Sequence, residues 1–229
     1  MNEKNTRHDI YAAVHKGLRA CMAHVLVEAG RMDTTDADDT AQALGSMRHL
    51  LLLCRTHLEH EDRFVHAAME ARCPGSAATT RGDHEHHVRS IVQLESAARA
   101  VEDSAGEARR SAARALYTLL SRFVAENYEH MHVEETRNNI VLWAEYTDAE
   151  LIALKGRLIA AIPPEVNMAF MRWMAPSLSP LERAELLGNA RQGMPAAAFD
   201  AALAMIKNHL STRDWFKLQV ALAPLAHAA

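Results

Sequence analysis

Apolar residues recur at intervals of three and four along most of the chain, the spacing of one face of an α-helix. From about residue 8 to residue 29, Tyr11, His15, Leu18, Met22 and Leu26 form one stripe, and Ile10, Val14, Cys21 and Val25 a second. A helix apolar on two faces belongs in the middle of a bundle, and Gly30 closes it. The Asp- and Thr-rich stretch DTTDADDT supplies caps for a second helix over about 37 to 70, which Cys73, Pro74, Gly75 and Ser76 end. Gly82 and Asp83 open a third at about 83 to 103. After a break at Ser104 to Gly106, a fourth runs through EARRSAARALYTLLSRFVAENYEHMHVEE. Beyond about residue 140 the periodic segments shorten, and several begin with Thr, Ser or Pro in the first turn. No strand alternation is present. The pattern predicts an all-α chain: an antiparallel four-helix bundle over 1–140, and a helical extension over 141–229 packed on it.

Composition agrees with helices, since aromatic residues make up only 5 % of the 229 positions while Ala, Leu and Met are plentiful. A net charge of -4 argues against a nucleic-acid partner, which calls for a concentrated basic face. The first thirty residues are broken by charges and histidines every few positions, so neither a secretory leader nor a membrane span is expected, and a cytoplasmic location is. Cys21, Cys54 and Cys73 include no C-x-x-C pair and read as reduced thiols. A chain of this length needs no staple for stability, so any metal would be there for function.

Histidine changes the picture: there are 14, and they form no terminal run. The second helix reads HLEHED, with His57 and Glu61, and the fourth reads HMHVEE, with His130 and Glu134. Four residues are about 6 Å of rise and about 400° of rotation, so each imidazole stacks with its carboxylate on one face. Taken singly, such a pair is an ordinary surface interaction. Its repetition, with His15 on the first helix and DHEHH opening the third, gives each bundle helix at least one imidazole to turn inward. Imidazoles with carboxylates and no thiolate suit iron, manganese or zinc rather than magnesium or calcium. Two carboxylates can bridge a pair of ions, whereas a lone zinc would strand several ionisable groups in the interior.

Over residues 8 to 140 the chain resembles the hemerythrin-like, or histidine-histidine-glutamate, domain family. His15 resembles the lone histidine of that family's first helix, and His57 with Glu61 and His130 with Glu134 resemble its two H-x-x-x-E motifs. The resemblance implies two non-haem iron ions bridged by the two carboxylates together with an oxo or hydroxo group. It further implies a small ligand: dioxygen, peroxide or nitric oxide. Helix three departs from oxygen-carrying members, whose two histidines there are four residues apart. Here His84 and His87 are three apart and share a stripe with Ile91, Leu94, Ala98 and Val101, so either both ligate or one supports the other; both are taken as metal ligands, with His86 toward solvent. On the fourth helix Glu135 stands where those members place an aspartate, but Glu134 mirrors Glu61 and is the preferred bridge. Asp62 reads as a solvated or hydrogen-bonding residue.

The expected metal ligands are therefore His15, His57, Glu61, His84, His87, His130 and Glu134. Of the remaining histidines, His49, His60, His66 and His132 read as surface or packing residues, with His60 and His132 near enough to hydrogen-bond to ligands. His24 falls about 13 Å along the first helix from His15. The imidazole-rich set favours reversible binding of dioxygen or a related ligand, for carriage or sensing, over hydrocarbon oxidation. A diiron peroxidase or oxidase and an iron-responsive regulatory protein are the other two readings. Aromatics beyond residue 140, Trp143, Phe170, Trp173, Trp215 and Phe216, read as packing anchors.

Overall fold

A computed structural model describes residues 7–223. Within them every regular element is helical. The bundle region holds α1 (Ala12–Arg31), α2 (Ala37–His60), α3 (Ala67–Arg72), α4 (Ala78–Glu102), α5 (Gly106–Val133) and α6 (Asn139–Glu145), followed by α7 (Asp148–Ala161). Then come α8 (Pro164–Ser177), α9 (Pro180–Gly193), α10 (Ala196–Lys207) and α11 (Thr212–Leu222). The single second helix expected over 37–70 is α2 and α3 joined by a π-helical turn, Glu61–His66, and a second π turn, Glu134–Asn138, joins α5 to α6.

The helix starts follow the local chemistry. Asp36 accepts from the backbone N–H groups of Asp38 and Asp39 and caps α2, and just ahead of α1 Asp9 Oδ1 accepts from the backbone N–H groups of Tyr11 and Ala12. Capping boxes open α7, from Thr147 and Glu150, and α9, from Ser179 and Glu182. Antiparallel packing is legible from cross-helix pairs whose numbers rise on one helix as they fall on the other. Arg48 meets Glu102 and Arg55 meets Glu95 between α2 and α4; His84 meets His130 and His87 meets Phe123 between α4 and α5. The apolar stripes are buried: Leu44, Leu51, Ile91, Leu94, Leu116, Leu120 and Phe123 are each at most 2 % exposed.

The described residues fall into two compact units, 7–12 with 21–163 and 13–20 with 164–223. In the first, Ile10, Tyr11, Val65, Met69, Leu142, Leu151 and Leu154 form a cluster at the α3, α6 and α7 end. In the second, Ala175, Leu187, Phe199, Ile206 and Leu218 form the core. There α1 approaches α8 at Gly17, where an added Cβ would stand 2.8 Å from Met174 Cγ and 3.0 Å from its backbone nitrogen. Backbone cannot yield as a side-chain tip can. Gly17→Ala is therefore expected to destabilise by about 1–3 kcal/mol through overpacking, more than the gain in helix propensity of about 1 kcal/mol. Urea denaturation of the variant measures it, and an unchanged or raised midpoint would contradict the close approach.

Candidate metal centre

The periodicity that buries leucine and isoleucine on α1, α2, α4 and α5 also carries histidine and glutamate inward at one level. His15, His57, Glu61, His84, His87, His130 and Glu134 are all buried, none more than 9 % exposed. Six of the seven converge in two groups, each with one nitrogen or oxygen per residue and all of those atoms within 4.8 Å of one another. One group is His15, His57, Glu61 and Glu134; the other is His84, His130, Glu61 and Glu134. Both carboxylates belong to both groups, and each group takes two imidazoles from different helices.

The separations suit a shared ion. His57 Nε2 lies 3.3 Å from Glu61 Oε2, His130 Nε2 lies 3.4 Å from Glu134 Oε2, and His84 Nε2 lies 3.5 Å from Glu134 Oε1 and 3.6 Å from Glu61 Oε2. Donor atoms held about 2.1 Å from one metal ion stand roughly 3 to 3.5 Å from each other. His84 and His130 bring two Nε2 atoms to 3.0 Å. Two such nitrogens attract only if one of them carries the proton, whereas a cation would use both lone pairs. The donor set thus fits a pair of borderline transition ions.

His87 is placed differently. Its ring stands edge-on to that of His130, centroids 4.9 Å apart, and against Phe123, outside both groups. Its Nδ1 is buried without a hydrogen-bond partner. Burial, reinforced by the neighbouring His130 and His84, lowers its pKa to about 3 and keeps it neutral. His86 pairs with Glu126 at 3.0 Å, Glu135 is half-buried and outside both groups, and His132 is exposed. His60 is half-buried and donates from Nδ1 to the carbonyl of Thr56 at 2.7 Å.

The π turns begin at the two shared carboxylates, Glu61 and Glu134. Such a turn hydrogen-bonds five residues apart rather than four, so the residue five places on returns to the inward face. After Glu61 that residue is His66, 0 % exposed; after Glu134, Asn138 and Asn139 are buried in the same way. His66, read from the sequence as surface or packing, is thus a buried neighbour of the centre. Its Nδ1 donates to Asp62 Oδ1 at 2.8 Å, and its Nε2 lies 3.1 Å from Thr80 Oγ1 and 4.0 Å from Glu134 Oε1. Asn138 Nδ2 donates to Tyr11 Oη and to Thr80 Oγ1, each at 3.3 Å. The only trace of this in the sequence is the polar residue four or five places after each H-x-x-x-E motif, at His66 and at Asn138 and Asn139.

Electrostatics around the carboxylates favour charged imidazoles in the metal-free protein. Burial lowers the pKa of His84, but the hydrogen bonds of Asp62 and Glu134 and the charges of Glu61 and Glu134 outweigh it and lift the group to about 10. His130 is raised in the same way, burial being overcome by Glu134. Tyr11 is pushed up by burial and then by the charges of Glu134 and Glu61. A metal must displace the His84 proton at any pH below about 10. Adding metal to the metal-free protein at pH 8 is therefore expected to release protons, seen with an indicator dye in weak buffer. The His84 contribution should fade as the pH is raised through about 10, and binding without any release at pH 8 would contradict the charged His84.

The all-α fold and the two overlapping His/Glu groups that share Glu61 and Glu134 are geometrically consistent with a hemerythrin-like diiron site, and further helices follow on the C-terminal side. Comparison of the chain with protein-family models, with curated proteins and with solved structures finds no match. No helix among the described residues is long and apolar enough to cross a membrane.

Proposed function

We propose that this is a non-haem diiron protein that binds dioxygen or a related small ligand, such as peroxide or nitric oxide, reversibly for carriage or sensing. The observation that carries the reading is the sharing of both buried carboxylates by two groups of otherwise different imidazoles. In this assignment His15 and His57 would hold one iron and His84 and His130 the other, with Glu61 and Glu134 shared between the two. His87 stands beside the second pair as a neutral imidazole.

Bound iron supplies open coordination and electrons that can be shared with a small ligand and taken back. The chain does the rest. The helices fix the donors, and the two carboxylates would offset half of the charge of two divalent ions. Asp62, accepting from His84 Nδ1 at 2.8 Å, leaves His84 Nε2 as the nitrogen facing the carboxylates. Phe123, 1 % exposed, packs edge-on against the His87 ring beside the second pair. Four imidazoles to two carboxylates is a nitrogen-rich balance, which supports binding over oxidation of a substrate.

Metal analysis of purified, untagged protein, paired with absorption spectra recorded after anaerobic reduction and again after admitting air, tests the proposal. Two irons per chain and a near-ultraviolet and visible charge-transfer band that disappears on oxygen removal are expected. A band that forms once and does not reverse would replace carriage with peroxide chemistry or iron sensing. Failure to bind iron after anaerobic reconstitution would end the diiron reading.

A further inference from the structure

A third group of metal-binding side chains lies against the first two: Asp62, His66 and His84. Asp62 Oδ1 is 2.8 Å from His66 Nδ1 and 2.8 Å from His84 Nδ1, and the two rings stack with centroids 4.6 Å apart. We propose that Asp62, His66 and His84 form an outer cation site through which a divalent first-row transition ion reaches the dinuclear centre. The inference rests on the dinuclear reading above.

Three observations converge on it. Exposure falls steeply across the group: the Asp62 side chain is 46 % exposed, His84 2 % and His66 0 %, while Glu61 and Glu134 behind them are 3 % and 0 %. An ion arriving from water therefore meets Asp62 first. His84 belongs to two groups at once, its Nδ1 toward Asp62 and its Nε2 toward Glu61 and Glu134. An ion leaving the outer group has the other nitrogen of the same ring as a donor of the next. His66 belongs to neither dinuclear group, yet it is wholly buried with Nδ1 turned outward to a half-exposed carboxylate. Ligation gives that orientation a use.

Two imidazoles and one carboxylate select iron(II), zinc or cobalt(II) over calcium and magnesium, which prefer all-oxygen surroundings. Separations of 2.8 Å need to open by only a few tenths of an ångström to reach those of ligands on one ion. In the outer group the ion takes the Nδ1 lone pairs of His66 and His84, whose single ring protons then sit on Nε2; when the ion moves inward, His84 releases the Nε2 proton to water and takes one from water at Nδ1, so protons balance and no electron moves. Asp83, also half-exposed, meets only one imidazole, His130 Nδ1 at 3.4 Å, and so offers no comparable site.

Cobalt(II) is the probe. The metal-free full-length chain is mixed anaerobically with cobalt, and visible absorption follows both the rate of loading and the equilibrium stoichiometry. Asp62→Asn keeps a carbonyl acceptor for the imidazoles but removes the charge, and His66→Phe keeps the ring packing but removes both nitrogens. Circular dichroism verifies that each variant is folded. The wild type should end with two cobalt ions, after an early transient band from the outer group. His66→Phe should lose the early band and fill the dinuclear centre to the same final level more slowly, by a factor on the order of ten. Asp62→Asn should lose the early band and load slowly as well. Loading of either variant at the wild-type rate overturns the proposal, and so does a lower final occupancy in His66→Phe, because His66 then only supports the centre. A wild type that takes up no cobalt would instead remove the dinuclear reading and this inference with it.

Discussion

Glu134→Ala is expected to leave the purified protein with at most one iron per chain and without the reversible band. The side chain is 0 % exposed and stands within ion-pair distance of His66, His84 and His130 at once. Because it belongs to both groups, its loss leaves each with two imidazoles and Glu61 alone. Neither set then completes four donors from the chain, and the remaining carboxylate can no longer hold the ions as a pair. Metal analysis separates this from Glu135→Ala, which removes a half-buried carboxylate outside both groups and should keep the full complement. Equal iron in the two variants would refute the assignment of the bridge.

The same substitution has a second readout. A ligand that binds only the folded state stabilises it by about 2.7 kcal/mol at a hundredfold excess over its dissociation constant. Wild-type protein should therefore melt at a higher temperature with iron than without, and Glu134→Ala should show little of that difference. In the metal-free state the variant is expected to be the less stable, since His84 and His130 lose the buried carboxylate that holds them charged. A variant less stable without metal yet equally stabilised by it would show that Glu134 serves the fold rather than the ions.

Arg183→Ala is expected to unfold much of the C-terminal unit at temperatures where the wild type is intact. Arg183 is 4 % exposed, donates from Nε to the carbonyl of Ala175 at 2.6 Å, and from Nη2 to that of Leu178 at 2.8 Å. Those carbonyls lie at the end of α8, where the helix itself supplies no donors. Truncation leaves both without their partner, at about 1–3 kcal/mol each, and removes a buried side chain from a unit whose core is small. A total of about 3 kcal/mol corresponds to a fall of roughly 6–12 °C in the melting midpoint. Arg183→Lys should rescue little, because a single ammonium cannot reproduce two directed N–H donors in one plane. Circular dichroism melts with limited proteolysis measure both variants, and a midpoint within a degree of the wild type would contradict this role.

Much of the centre is local in origin and so legible in the chain. A histidine and a glutamate four residues apart share a helix face wherever the helix goes, so His57 with Glu61 and His130 with Glu134 form pairs before any tertiary contact exists. The caps at Asp36, Thr147 and Ser179 are equally local, each a side chain meeting a backbone N–H two or three residues ahead. The same holds for the breaks at Pro74, Gly75 and Ser104 to Gly106, and these short-range preferences fix an all-helical chain and the order of its long helices.

Only the packed structure decides which inward residues meet. His84 and His87 lie on one stripe three residues apart, and nothing in that spacing says that His84 faces Glu61 and Glu134 while His87 turns to Phe123 and the edge of His130. That depends on the level at which α5 crosses α4, a long-range property of all the side chains between them. The π turns are of the same kind. A helix widens to five-residue hydrogen bonding when packing on several sides favours it, and the sequence EDRFVH carries no signal strong enough to announce it. With that widening His66 becomes a buried neighbour of the carboxylates. In a regular α-helix the residue five places on from Glu61 would turn away from them. The sequence thus determined the helices and the donor pairs each one carries, and the tertiary structure decided that two carboxylates serve four imidazoles and that His66 joins them, because convergence depends on distances between helices that no local spacing encodes.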